Sequence, residues 1–231
     1  MHFTKDFQAD LQVILDVLRT DYEGPPVAFA RFADGEADLM YARGHCAKAD
    51  KWRWPAGLQH PLATALHEAL TCDLLGYHVG VIGEETHAEE HHELLPMVKV
   101  PPERVTFAEL FYYANYRPFA QADKSHCTLV GPLNCHHEIP ADAIMSDWDW
   151  RPLVETLVES GKGGPILIAG GPLAKVIVHQ YWLATEVAKE ARRTILDVGS
   201  ALNYAMQKRR VRAYQHRNRP EYRHVPKWVK V

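Results

Sequence analysis

Asp34-Gly35-Glu36 sets two carboxylates two residues apart, directly after the apolar run Ala28-Phe29-Ala30-Arg31-Phe32. The run reads as a short strand and Ala37–Met40 reads as the start of a helix, so the carboxylates fall on a strand-to-helix turn. Ligands of open α/β sheets bind at such carboxyl ends of strands. An Asp-x-Glu pair there suits a hard divalent cation, and that cation in turn suits a diphosphate. Arg31 offers a bidentate fork to a phosphate just before the turn. The same residues also fit a plain surface turn with acidic charge at a helix start. Short acidic motifs arise often by chance.

Three other places carry chemistry. Gly170-Gly171-Pro172 closes the apolar run Pro165–Ala169 and opens a helix expected over Leu173–Arg192. A Gly-Gly turn at a helix start exposes main-chain N–H groups beside the positive end of the helix dipole, which suits an anion. Lys175 lies one turn inside and adds charge. The turn lacks Gly-x-Gly-x-x-Gly spacing and the Walker Gly-Lys-Ser/Thr, which disfavours nicotinamide dinucleotides and P-loop chemistry. The expected last strand, Thr194–Val198, carries Asp197 and runs into Gly199-Ser200. His137 and Glu138 follow the strand expected at Cys127–Pro132, where either suits a general base.

Two further segments read better as structure. His87 and His91 stand at i and i+4 in an acidic run, without a His-Glu-x-x-His pattern or a fixed third ligand. Such charge runs usually face water. Trp52-Arg53-Trp54-Pro55 offers stacking surfaces for a sugar or base, yet loops of this kind more often cover a core edge.

The elements that must position these residues alternate. Helices are expected over 5–20, His60–Cys72, Val105–Tyr116 and Asp147–Ser160, and further strands over Val27–Phe32 and Tyr77–Ile82. Alternating strands and helices with short links spell a Rossmann-like α/β fold: a mostly parallel, doubly wound sheet in one domain. The domain is expected over residues 1–206, with a basic tail at 207–231.

That tail holds nine Lys/Arg and one acid, net +8, and the rest of the chain is net −11. A basic tail meets an anionic partner such as DNA, or neutralises the acidic body of its own chain or of a second subunit in a homo-oligomer. The 231 residues suffice for a large core, and 47% hydrophobic with 24% charged residues excludes a disordered chain. No apolar run approaches the roughly 18 residues of a membrane helix. The N-terminus lacks a signal-peptide pattern, and Cys46, Cys72, Cys127 and Cys135 form no Cys-x-x-Cys pair. The expectation is a reduced, cytoplasmic protein.

Arg31-Phe32-Ala33-Asp34-Gly35-Glu36 resembles the Arg-Phe-Gly-Asp-Gly-Glu segment of GT-D type glycosyltransferases. Leu129–Pro132, Ile168–Pro172 with the helix after it, and Leu196–Ser200 occur in the family's order, so the resemblance spans roughly residues 25–205. Ala33 stands where the family usually has Gly. The resemblance implies a metal-dependent enzyme that moves a sugar from a nucleotide-sugar donor to an acceptor hydroxyl. In that reading Asp34 and Glu36 hold Mn²⁺ or Mg²⁺, and the ion clamps the donor diphosphate. Arg31, Gly35, Gly170, Gly171, Lys175, Asp197, Gly199 and Ser200 line the donor site. The base for an inverting transfer is Glu138, His137, Asp147 or Asp149. The acceptor is a glycan or protein, or a hydroxylated DNA base held through the tail. Two other classes fit the same residues: a non-catalytic nucleotide-binding module and a metal-dependent phosphohydrolase.

Overall fold

The computed structural model describes residues 7–32, 36, 39–40, 60–81, 105–107, 119, 121–161, 163–202 and 206. Asp34, Gly35, Trp52, Trp54, His87, His91 and the basic tail lie outside the described residues. Among the described residues, seven strands form one sheet: β1 (Ala28–Phe32), β2 (Tyr77–Val81), β3 (Val105–Phe107), β4 (Thr128–Gly131), β5 (His137–Glu138), β6 (Ile166–Ile168) and β7 (Ile195–Asp197). Their order is β3-β2-β1-β7-β6-β4-β5. Every adjacent pair is parallel, with Ala28 of β1 in register with Tyr77 on one side and Ile195 on the other.

The strands are short apolar runs because both faces of a parallel sheet are covered. Alternate side chains of a strand serve opposite faces. Ala28, Ala30 and Phe32 pack with Leu66 and Leu70 of α2 (Leu62–Thr71), Val154 and Leu157 of α3 (Arg151–Glu159), and Val176 and Ile177 of α4 (Pro172–Ala184). Val27 and Phe29 pack on the other face with Ile14 and Val17 of α1 (Phe7–Val17), together with Phe119, Leu202 and Met206. The sheet is therefore doubly wound, as the alternation of elements predicts.

Three local expectations differ from the structure. Val105–Phe107 is a strand, not the start of a helix: its residues pair with Val79–Val81, and sheet pairing overrides the helical spacing of the apolar residues. The short edge strand β5 falls where a loop is expected, and it is built by pairing Val130 with His137 and Gly131 with Glu138. Helix α4 stops at Ala184 rather than Arg192. Thr185 turns its hydroxyl back onto the Tyr181 carbonyl, and Arg192 donates to the Trp182 carbonyl and stacks on the Trp182 ring at 4.1 Å. The final turn of the helix is thus capped by the chain that follows it.

Candidate functional site at the carboxyl edge of the sheet

The site begins with how α4 is launched. β6 ends at Ile168, and the chain turns through Gly170 and an exposed Gly171 with φ 56° and ψ −142°. That backbone region is open to glycine and strained for other residues. A Cβ on Gly170 would meet Ile139 Cδ1, the end of the side chain that follows β5. Pro172 then takes the first helical turn, where its missing N–H costs nothing. From Pro172 to His179 every residue of α4 is buried. A helix buried on all sides carries ionised groups only where they are paired.

Lys175 is paired three ways. Its ammonium lies 2.8 Å from Glu36 Oε1, 2.9 Å from Asp197 Oδ2 and 3.0 Å from the Gly171 carbonyl oxygen, to which it donates. The approach to Asp197 is an ion pair without hydrogen-bond alignment. Glu36 and the Gly171 carbonyl take hydrogen bonds from the lysine, and Asp197 adds opposite charge beside it. Lys175 and Glu36 are each 2% exposed and Asp197 is fully buried. Burial alone would push the Lys175 ammonium down, but Asp197 and Glu36 outweigh it and hold it above the usual lysine value.

Asp197 joins this group to Arg31. Its Oδ1 accepts the Gly199 N–H at 3.1 Å and faces Arg31 Nε at 3.5 Å. The Arg31 guanidinium lies across Gly199, whose φ is 45°. Two cations and two carboxylates, from β1, the segment after it, α4 and β7, thus form one buried and formally neutral cluster. Four of the donor-site residues expected from sequence, Arg31, Glu36, Lys175 and Asp197, do meet, with Gly171 and Gly199 at their side.

Two neighbours were not legible as site residues. Tyr77, at the head of β2, is fully buried, and its hydroxyl has no hydrogen-bond partner among the described residues. Burial first, then Cys72 and Asp197, holds its phenol well above the usual value. Its ring meets His179 of α4 edge-on, with centroids 6.0 Å apart. Burial pushes the His179 imidazole down, against a smaller opposing pull from Glu68. A tyrosine at a strand start and a histidine inside an apolar helix both read as ordinary core in a sequence.

The base candidates stand elsewhere. Glu138 is exposed on the edge strand β5, three strands from β7, or about 14 Å by strand spacing. His137 is half-buried there, and burial, then His136 and Arg193, push its imidazole below the usual value. Asp147 is exposed in the segment before α3, and Ser200 is half-buried in the 3-10 turn Gly199–Leu202. Of the two carboxylates expected to hold a metal, Asp34 lies outside the described residues and Glu36 is paired with Lys175. The described residues contain no group of three or more His, Cys, Asp or Glu suited to a metal ion. No helix among them is long and apolar enough to cross a membrane.

No protein-family model matches the sequence. No curated protein matches it either. Solved structures do. A selenomethionine-substituted structure of domain of unknown function 1792 aligns with a TM-score of 0.50 at 14% identity, over 84% of this chain and 79% of that one. The chain has the fold of domain of unknown function 1792. A second structure of that domain, with a TM-score of 0.47 at the same identity and coverage, is described as having a distinct glycosyltransferase fold. The doubly wound, mostly parallel sheet expected from the sequence is thus borne out at the level of fold. Within this fold of domain of unknown function 1792, the Arg31–Asp197–Lys175–Glu36 cluster and the Gly171 turn share the carboxyl edge of β1, β6 and β7.

Proposed function

We propose that this chain is a glycosyltransferase that moves a sugar from a nucleotide-sugar donor to an acceptor hydroxyl. The observation that carries the reading is the Gly170–Gly171 turn, exposed at Gly171, at the start of a 13-residue helix on the carboxyl edge of a parallel sheet. Its main-chain N–H groups and the helix dipole receive the donor diphosphate. The ion cluster beneath is neutral as a whole, so it fixes the turn in place more than it charges it.

In the reaction, the acceptor oxygen bonds to the anomeric carbon, and the bond from that carbon to the diphosphate oxygen breaks. Negative charge gathers on the departing nucleoside diphosphate, where the helix N-terminus stabilises it. The acceptor proton passes to a base in an inverting transfer. His137, with its imidazole held neutral at pH 7, Glu138, Asp147 and Asp149 are the candidates. Mn²⁺ or Mg²⁺ belongs to this reading through Asp34, and the steps above do not require it. Ser200 and the main chain of Gly199 stand at the same edge for sugar or ribose hydroxyls.

The acceptor is a glycan or protein hydroxyl in the first reading. The +8 tail supports a second, a hydroxylated base in DNA, with the tail on the phosphates. Melting the full chain against a panel of nucleotide sugars and nucleoside diphosphates, with Mn²⁺ and then with chelator, tests the proposal. One nucleotide sugar raises the midpoint, by about 2.7 kcal/mol of stability at a hundredfold excess over its dissociation constant. The same sugar is then transferred to an acceptor. No shift with any donor overturns the reading in favour of a hydrolase or a module that binds other ligands.

A further inference from the structure

Glu36 is the second carboxylate of an Asp-x-Glu pair, the pattern that suggests a two-carboxylate metal site. Its surroundings suggest another role. The carboxylate is 2% exposed, and its Oε1 lies 2.8 Å from the Lys175 ammonium. That ammonium is itself held by Asp197 Oδ2 and the Gly171 carbonyl oxygen. The lysine ammonium therefore stands between Glu36 and Asp197 and supplies the positive charge there. Arg31 on the far side of Asp197 completes the charge balance. A divalent ion on Glu36 would set two more positive charges beside a buried ammonium that is already neutralised. An ion taking Glu36 Oε1 would also draw that oxygen away and leave the ammonium with Asp197 and the Gly171 carbonyl.

We infer that Glu36 is a positioning residue whose partner is the Lys175 ammonium, and that it is not a metal ligand. The inference deepens the proposed donor site, since it assigns any divalent ion to Asp34 without Glu36, but it does not depend on sugar transfer. The pair ties the segment after β1 to the first turn of α4. Through the Gly171 carbonyl, Lys175 also fixes the glycine turn that precedes the helix. Glu36 thereby sets the direction of the main-chain N–H groups at that turn without touching the donor.

Two measurements on the full chain test this, and neither reads sugar transfer. The first is Mn²⁺ binding, with the metal alone titrated into wild type, Glu36→Gln and Asp34→Asn. The expected result is that Glu36→Gln stays within twofold of wild type, absence of uptake by both included. A tenfold or greater loss of Mn²⁺ affinity in Glu36→Gln overturns the inference. The second is a double-mutant cycle on the melting midpoint with Glu36→Gln, Lys175→Met and both together. The expected result is that the double variant loses clearly less than the two single losses combined, the signature of direct contact. Additive losses overturn the inference as well. Should Glu36→Gln alone fail to fold, the double variant takes its place in the Mn²⁺ titration with the same two readings. A chain that transfers no sugar still returns either answer.

Discussion

The guanidinium of Arg31 occupies the space a side chain on Gly199 would need. Gly199 also has φ 45° and donates its N–H to Asp197 Oδ1 at 3.1 Å. The turn after β7 is therefore built around the end of β1. Gly199→Ala should cost at least about 1–2 kcal/mol from the left-handed backbone alone, with more from the displaced arginine. Chemical denaturation measures the loss. An unchanged midpoint would mean that Arg31 has room to move.

Asp197 forms ion pairs with the cations of two elements while fully buried. Removing one member of a buried ion group leaves uncompensated charge and typically costs about 3–5 kcal/mol. Asp197→Asn should fall in that range by denaturant unfolding. A loss under about 1 kcal/mol would place the cluster in contact with water.

Gly171 holds a backbone that other residues adopt only under strain, typically about 1–3 kcal/mol. Gly171→Ala should lower stability by that order and weaken nucleotide-sugar binding by more than its effect on the midpoint explains. Binding titration alongside thermal melting separates the two. Undiminished donor affinity would remove the turn from the donor site.

Burial depresses the imidazoles of His179, His60 and His137 below the ordinary 6.5. A depressed histidine favours its neutral form in the fold, so its contribution is present above about pH 6.5 and is lost as pH falls. Urea midpoints should drop between pH 7 and pH 5, and His179→Asn should flatten that slope. On the alkaline side, Lys175 and Tyr77 are both raised. Their contributions hold below the ordinary values near 10 and are lost as pH rises beyond them. An acid limb in His179→Asn as steep as in wild type would exonerate that residue.

The tail gives a separate prediction. If DNA carries the acceptor, each lysine or arginine on a phosphate adds about 0.9 to the slope of log affinity against log salt. Replacing Lys208, Arg209 and Arg210 with alanine in the full chain should then make that slope shallower by about 3. No measurable DNA binding at low salt would end the second acceptor reading.

Much of this was legible in residue order. The runs at Ala28–Phe32, Ile166–Ile168 and Ile195–Asp197 announce buried parallel strands, since both faces demand apolar groups. The glycine and carboxylate positions at their ends announce a site. Partnership was not legible. Lys175 and Glu36 look like two free charges offered to a ligand until the first two turns of α4 are seen to be buried, with Lys175 standing 139 residues beyond Glu36 in the chain. Val105–Phe107 looked helical because a three-residue strand leaves too short a pattern to compete with neighbouring apolar spacing. The strand exists because β2 presents an edge for it to join.

The order of the sheet has a consequence for how the chain is made. β7, the last of the described strands to leave the ribosome, sits between β1 and β6. Before residues 195–197 emerge, β1 to β3 and β4 to β6 share no pairing, and each half presents an open inner edge of the kind that recruits stray strands. The strand that closes this seam also brings Asp197 to the waiting cations. A chain halted short of it lacks the seam strand between β1 and β6, and Lys175 and Arg31 lack the Asp197 carboxylate that pairs with both.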